Sequence, residues 1–172
     1  RLVTAPDDAD ATVLRALAGD HRWRVREGVA MALQRLGDRD PAVLRALLGE
    51  WSADDDPLLL RAAAAGVCEP RLLRDTDTLA MALDVLDRAT AVLAGLPARR
   101  RRDPDGRTLR QALAYCWSVA VAGGPVSGFA RMVARAAHPD PDVRWVLRSN
   151  LPKARLRRAD PAQAARLAAL VG

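Results

Sequence analysis

Residues 20–37 read DHRWRVREGVAMALQRLG, and this stretch decides the fold. It opens on an aspartate, continues with the pair Val25-Arg26, and then carries small and apolar residues at helical spacing up to a Leu-Gly end. Residues 140–156, DPDVRWVLRSNLPKARL, repeat the aspartate, a Val-Arg pair ending at Arg144, and the apolar continuation. Two copies of one helical pattern predict a protein built from internal repeats.

A third copy, at residues 56–73, is weaker and reads DPLLLRAAAAGVCEPRLL, with Leu60-Arg61 in place of the Val-Arg pair. Arg26 and Arg61 lie 35 positions apart, and Arg61 and Arg144 lie 83 apart, about two units of 41. A period of about 40 residues with two helices per unit indicates an α-solenoid. The predicted fold class is therefore all-α, a stack of antiparallel helical hairpins.

The composition also favours helices. Ala and Leu supply most of the apolar residues, whereas Phe and Tyr occur once each, which suits helices packed through small side chains better than a β-sandwich. An aspartate followed by proline marks a helix start, because the carboxylate caps free N–H groups and proline lacks one. Four such pairs occur: Asp40-Pro41, Asp56-Pro57, Asp140-Pro141 and Asp160-Pro161. The apolar spacing predicts about nine helices, at 9–18, 22–37, 41–52, 57–67, 77–95, 106–122, 127–137, 141–150 and 161–170.

The three stretches resemble the HEAT-repeat family, whose second helix opens with an aspartate, then Val-Arg and an Ala/Leu pattern. The resemblance covers roughly two thirds of the chain. It implies a right-handed stack of helical hairpins with a concave face, and such stacks mostly serve as binding surfaces. In the family the repeated Asp and Arg tie neighbouring repeats together. The resemblance implies that role for Asp20, Arg26, Asp140 and Arg144.

The net charge of +6 is spread unevenly. Residues 1–86 hold 11 basic and 15 acidic groups, whereas residues 87–172 hold 16 basic and 6 acidic groups. Of the 27 basic residues only Lys153 is a lysine, which suggests a GC-rich genome, but codon usage does not explain why the acids stay in the first half. The asymmetry predicts that the C-terminal half contacts an anionic partner.

Two segments concentrate the positive charge. Residues 97–106, PARRRRDPDG, contain two prolines and end in glycine, so we expect a basic loop there, either solvated or in contact with an anion. In the second segment Pro152 is expected to end a helix, and basic side chains follow it without an acid until Asp160. The residues predicted to bind an anion or nucleic acid are Arg99, Arg100, Arg101, Arg102, Arg144, Trp145, Arg148, Lys153, Arg155, Arg157 and Arg158.

The four tryptophans divide by position. Trp51 and Trp117 fall on the apolar stripes of their helices and are expected in the core. Trp23 and Trp145 are flanked by arginines, which indicates either interhelix packing or a surface where rings and guanidinium groups stack.

No motif of a serine hydrolase, zinc protease, P-loop or dinucleotide fold occurs, so catalysis of those kinds has no support. Cys68 and Cys116 lie in apolar helical segments and are expected to be buried, reduced thiols. His21 and His138 have no partner at ligand spacing, so we predict no metal and no cofactor.

No apolar run is long enough to cross a bilayer, and the first residues lack the apolar block of a signal peptide. We therefore expect a cytoplasmic protein without membrane contact, and we expect it to be a monomer. Residues 1–172 are predicted to form one domain. Arg1 in place of Met suggests a trimmed fragment.

Three functions fit these features. The first is a non-catalytic HEAT-repeat binding module whose basic C-terminal half contacts DNA, RNA or an acidic protein face. The second is a protein–protein scaffold whose arginines serve solubility only. The third rests on a weaker similarity to HEAT-like DNA alkylation repeat glycosylases, which excise cationic alkylpurines with a carboxylate, tryptophans and phosphate-binding basic residues. Trp51 with Asp55 matches that family only loosely, and no catalytic residue is carried over.

Overall fold

The computed structural model describes residues 8–172, with side chains from Asp10 onward. This described part is helical and contains no strand, which confirms the all-α prediction. Its α-helices are α1 (Asp8–Ala18), α2 (Trp23–Arg39), α3 (Pro41–Ser52), α4 (Pro57–Val67), α5 (Thr76–Gly95), α6 (Ala98–Arg102), α7 (Pro104–Gly123), α8 (Pro125–Ala136), α9 (Pro141–Asn150), α10 (Ala154–Ala159) and α11 (Pro161–Val171). A 3₁₀ helix, Leu72–Arg74, lies between α4 and α5. Arg1, on which the prediction of a trimmed fragment rests, lies outside the described residues.

The aspartate–proline pairs begin helices as the sequence predicts. The side chain of Asp40 accepts hydrogen bonds from the backbone N–H groups of Ala42 and Val43, both at 3.1 Å, and Pro41 is the first residue of α3. Asp56, Asp140 and Asp160 cap α4, α9 and α11 in the same manner. The local sequence therefore fixes where these four helices start.

Two short helices were missed, so the prediction of nine helices was too low. The four arginines of the predicted loop at 97–106 form α6, and Pro104 begins α7. A Cβ at Gly106 would clash with the carbonyl oxygen of Arg100, so only glycine lets α6 lie this close to the first turn of α7. α9 ends before Pro152, as expected, but the chain resumes as α10 almost at once.

Most helices lie in two rows. α2 packs against α4, α4 against α7, and α7 against α9, while α3 packs against α5 and α8 against α11. The rows are joined through the contacts α1 with α2, α3 with α4, α5 with α7, and α8 with α9. α10 packs against α7 and α11.

The core is filled where the rows meet. Trp51 and Trp117 are buried, as predicted, and the indole N–H of Trp117 donates to the hydroxyl of Thr90 at 3.1 Å. A Cβ at Gly66 would lie 2.7 Å from the Cβ of Leu33, which shows how closely the backbones of α2 and α4 approach. Small residues at such crossings explain the alanine-rich composition.

Arginine–carboxylate pairs link helices that are distant in sequence. The two partners lie between 30 and 48 positions apart. The pairs are Arg15 with Asp54, Arg45 with Asp75, Arg61 with Glu27, Arg71 with Asp38, Arg88 with Asp55, Arg101 with Asp140, Arg110 with Asp142, Arg131 with Asp84 and Asp87, and Arg135 with Asp87. The separations are close to the length of one predicted repeat.

Candidate functional site

Asn150 fixes α9 against α7. Its amide nitrogen donates to the carbonyl oxygens of Leu113 at 3.1 Å and Val146 at 2.8 Å, and its side-chain oxygen accepts from the backbone N–H of Ser118 at 2.9 Å. Asn150 is fully buried, and these three bonds engage its amide nitrogen and its side-chain oxygen. The opposite face of α9, which carries Trp145 and Arg148, is thereby held toward solvent.

Trp145 is 38 % exposed and lies beneath a guanidinium group. The Cζ atom of Arg110, on α7, is 4.3 Å from the centroid of the indole ring. Arg110 is held in place by Asp142, whose carboxylate accepts from it at 2.7 Å. The flanking arginines of the sequence left open either interhelix packing or a stacked surface ring; Trp145 is partly exposed, and the cation stacked on it comes from another helix.

Tyr115 forms a second pair of ring and cation. It lies on α7 and is 47 % exposed, and the guanidinium of Arg155, on α10, is 4.4 Å from its ring centroid. Arg155 also donates to the phenol oxygen at 2.8 Å, and the ammonium of Lys153 lies 5.7 Å from the ring. Tyr115 and Arg110 are five positions apart on α7, about 7.5 Å along the helix axis and about 140° around it.

We call the group formed by Tyr115, Trp145, Arg148, Lys153 and Arg155 the α7–α10 surface. Arg148 is exposed, while Lys153 and Arg155 are half-buried. Within the described part of the chain, none of these three cations forms an ion pair with a carboxylate. Tyr115 was not predicted as a site residue. It is an exposed position directly before the buried run that begins at Cys116.

Arg101 does not belong to this surface. Its guanidinium donates to the carbonyl oxygen of Leu96 at 2.7 Å and to that of Ala94, pairs with Asp140, and lies 3.7 Å from Asp142. These contacts tie α5, α6 and α9 together. Arg101 thus links three helices, and its role in binding an external anion stays a prediction.

The other arginines of α6 lie apart from the α7–α10 surface. Arg100 is 3.9 Å from Asp103, and Arg99 and Arg102 are exposed. α6 is joined to the N-terminal end of α9 through Arg101, whereas Lys153 follows the C-terminal end of α9, about 15 Å away along that helix. The structure thus separates the two basic segments of the sequence.

No ion pair with a carboxylate of the described residues neutralises Arg144, Arg157 or Arg158. Arg144 is half-buried, and its Nε–H is buried without a hydrogen-bond partner in the region that the structure describes. The repeat tie implied by the HEAT resemblance is therefore not seen there. Arg157 and Arg158 are exposed on α10.

Arg26 and Asp20 make local contacts at the entrance of α2, and not the tie between neighbouring repeats that the resemblance implies. Arg26 donates to the carbonyl oxygens of Asp20 at 2.6 Å and His21 at 3.0 Å. Hydrogen bonds from the side chain and the backbone of Arg22 hold the pKa of Asp20 well below its usual range. The entrance of α2 is therefore stabilised locally.

The two residues that loosely match the glycosylase family, Trp51 and Asp55, do not form a site. Trp51 is buried, so it cannot contact a base, and Asp55 pairs with Arg88 at 2.5 Å. Cys68 and Cys116 are buried free thiols, and the hydrogen bond between them together with burial raises the pKa of Cys68, which makes it a poor nucleophile.

Within residues 8–172 no group of His, Cys, Asp and Glu side chains is arranged to hold a metal ion. None of the helices described has the length and apolar character needed to span a membrane. No family model, no curated protein and no solved structure matches the chain.

Proposed function

We propose that this chain is a non-catalytic helical-repeat module that binds nucleic acid through the α7–α10 surface. The repeats would form a right-handed, HEAT-like α-solenoid, with α2, α4, α7 and α9 along its concave side. The three related sequence stretches support this arrangement, since they place Arg26, Arg61 and Arg144 in α2, α4 and α9 of one row. The row contacts between these helices support it as well.

Two exposed aromatic rings, Tyr115 and Trp145, each lie beside a guanidinium group, and this observation carries the functional proposal. The neighbouring cations Arg148, Lys153 and Arg155 form no ion pair with a carboxylate of the described residues. Tyr115 lies 4.4 Å from the Arg155 guanidinium, and Trp145 carries its own stacked guanidinium. Bases stack on aromatic rings, and phosphates are bound by Arg and Lys, so this combination matches a nucleic-acid strand better than it matches an acidic protein face. An acidic protein face would use the cations alone, whereas a nucleic-acid strand offers bases as well as phosphates.

The distribution of ion pairs also supports nucleic-acid binding. Many arginines outside the surface are neutralised by carboxylates, such as Arg61 by Glu27 and Arg71 by Asp38. On α9 and α10 the cations have no such partners among the described residues. Uncompensated like charges repel one another, and their retention is expected where a polyanion binds.

A charge-reversal experiment tests this function. The triple variant Arg148→Glu, Lys153→Glu and Arg155→Glu should lose about 100-fold in affinity for a mixed-sequence oligonucleotide, measured by fluorescence anisotropy in about 50 mM salt. The control triple Arg35→Glu, Arg39→Glu and Arg166→Glu changes the net charge equally at exposed positions elsewhere and should lose less than about threefold. Equal losses in the two triples, or no binding by the unmodified chain, would contradict the proposal.

A further inference from the structure

A cavity of about 480 Å³ opens beside Tyr115, between the 3₁₀ helix, the C-terminal half of α7, and α10. Its apolar lining includes Leu73, Val119 and Ala122, and its polar lining is formed by Arg74, Tyr115 and Arg155. Leu73 and Val119 are buried, while Arg74 and Ala122 are exposed. The cavity thus combines an apolar floor with a mouth that carries two guanidinium groups.

The lining is complementary to an anion with an apolar body. Among the residues that line this cavity in the described chain there is no carboxylate. The Tyr115 ring forms part of the wall, and its hydroxyl already accepts a hydrogen bond from Arg155. The volume lies within the roughly 300–1,000 Å³ typical of small-molecule pockets, so a planar group of the size of one nucleobase fits.

We propose that this cavity receives one unpaired base of single-stranded nucleic acid, an inference that rests on the proposed function. The base would lie against Leu73, Val119 and the Tyr115 ring, and the phosphates on either side would be bound by Arg74 and Arg155. In a duplex the faces of each base are covered by its neighbours, so the base cannot enter without unstacking. The chain should therefore prefer single strands to duplexes.

The apolar floor distinguishes this ligand from an acidic peptide. A carboxylate side chain would contact Arg74 and Arg155 at the mouth and leave the apolar interior filled with water. A base fills it, and stacking of one base on the Tyr115 ring is expected to contribute roughly 10-fold in affinity. The preference is thus expected to come from the cavity and not from charge.

Filling the cavity without changing its charge gives the sharpest test. Ala122 is exposed near the end of α7, so Ala122→Phe should place a ring in the cavity while the helix remains folded. The unmodified chain should bind a 12-nucleotide oligo-dT strand about 10-fold more tightly than a duplex of the same length, and Ala122→Phe should lose that difference. Affinity of the variant for the duplex should stay unchanged.

Two further variants serve as controls. Ala134→Phe makes the same change at an exposed position of α8 that does not line the cavity, and it should keep the preference for single strands. Tyr115→Leu keeps the site apolar but removes the ring, and it should weaken binding of the single strand more than of the duplex. Circular dichroism checks that each variant is folded.

The possible outcomes separate this inference from the proposed function. If the chain binds neither single strand nor duplex, the proposed function fails and the inference fails with it. If it binds both equally, or if Ala122→Phe keeps its full preference for the single strand, only the inference is overturned. Competition by poly-glutamate as strong as that by oligo-dT at equal charge would also overturn it, in favour of an acidic peptide.

Discussion

Arg61 and Arg144 occupy matching positions in two copies of the sequence pattern, yet their surroundings differ. On α4, the Arg61 side chain is only 12 % exposed, pairs with Glu27, and donates to the carbonyl oxygen of Arg26 at 3.2 Å. On α9, Arg144 has a buried Nε–H without a partner in the described chain. The same residue type is thus a structural link in the first region and an uncompensated charge in the second.

The difference follows from where the acids lie. The first half of the chain holds 15 acidic groups and the second half holds 6, so many arginines near α2 to α5 find a carboxylate one repeat away. Around α9 and α10, Asp140 and Asp142 are engaged by Arg101 and Arg110, and Asp160 caps α11. Arginines in the first region are thus paired with carboxylates across the fold, whereas those on α9 and α10 have no such partner among the described residues.

The largest effect on stability is expected from Asn150, which holds the second region in place. Asn150→Ala removes three buried hydrogen bonds between and within α7 and α9, and it should lower the free energy of unfolding by about 2–3 kcal/mol. Urea denaturation measures the change. Ser149→Ala, one position earlier and partly exposed, is the control. A loss no larger than that of the control would show that α9 is held by apolar packing alone.

Replacing the two matching arginines tests the comparison itself. Arg61→Leu leaves Glu27 without its partner in a partly buried place and should cost about 1–2 kcal/mol. Arg144→Leu removes a group that has no bond to lose and should change stability by less than about 0.5 kcal/mol. Thermal or urea unfolding of both variants gives the two values. Equal costs would refute the division between the two regions.

Arg101 should behave like Arg61 despite its basic neighbours. Arg101→Gln breaks its contacts with Asp140 and with two carbonyl oxygens, and about 1 kcal/mol of stability should be lost. Arg102→Gln, at an exposed neighbouring position, should cost almost nothing. Neither variant should change the affinity for an oligonucleotide by more than about twofold. A strong loss of binding in Arg101→Gln with unchanged stability would contradict its assignment as a structural residue.

The smallest effect is expected in acid, and it should appear first in the α2–α5 region. A hydrogen bond from Arg71 lowers the pKa of Asp38, and hydrogen bonds from Thr78 lower the pKa of Asp75. A backbone hydrogen bond from Asp56 is the main cause that lowers the pKa of Asp54. Because these folded-state pKa values lie below the unfolded ones, the stabilisation is present above about pH 4 and is lost as the pH falls through the folded values.

Amide signals followed by NMR from pH 6 to pH 2.5 locate this loss. Signals of α2 to α5 should broaden or disappear before those of α9. Asp38→Asn removes one of the lowered carboxyl groups and should reduce the pH dependence. Loss of α9 signals first would contradict the assignment of the stabilising carboxylates to the first region.

The sequence predicted the helices best where one residue acts on its immediate neighbours. Asp56 and Asp160 bond N–H groups two or three positions away, so their effect is visible in the sequence. α6 was missed because the glycine at position 106 is typical of a loop. Glycine is needed there because the carbonyl oxygen of Arg100 lies too close for a Cβ atom. Packing of this kind has no local signature.

The candidate site was predicted only in part, because its contacts also join residues that are distant in sequence. Trp145 was found from its arginine neighbours, but the cation that stacks on it, Arg110, lies 35 positions away. Tyr115 became part of the surface only because α10 places Arg155 over its ring, 40 positions later. Arg101 looked like its three neighbours, and only its contact with Asp140 distinguishes it.

The central claim is that the α7–α10 surface binds a nucleic-acid strand through unpaired cations, and the salt dependence of binding tests it most directly. The logarithm of the affinity for oligo-dT, plotted against the logarithm of salt concentration, should have a slope of about −2 to −3, because each phosphate contact of a single strand contributes about −0.7. Lys153→Gln should make the slope less steep by about 0.7, and Arg39→Gln should leave it unchanged. A slope near zero, or equal slopes for the unmodified chain and Lys153→Gln, would contradict the claim.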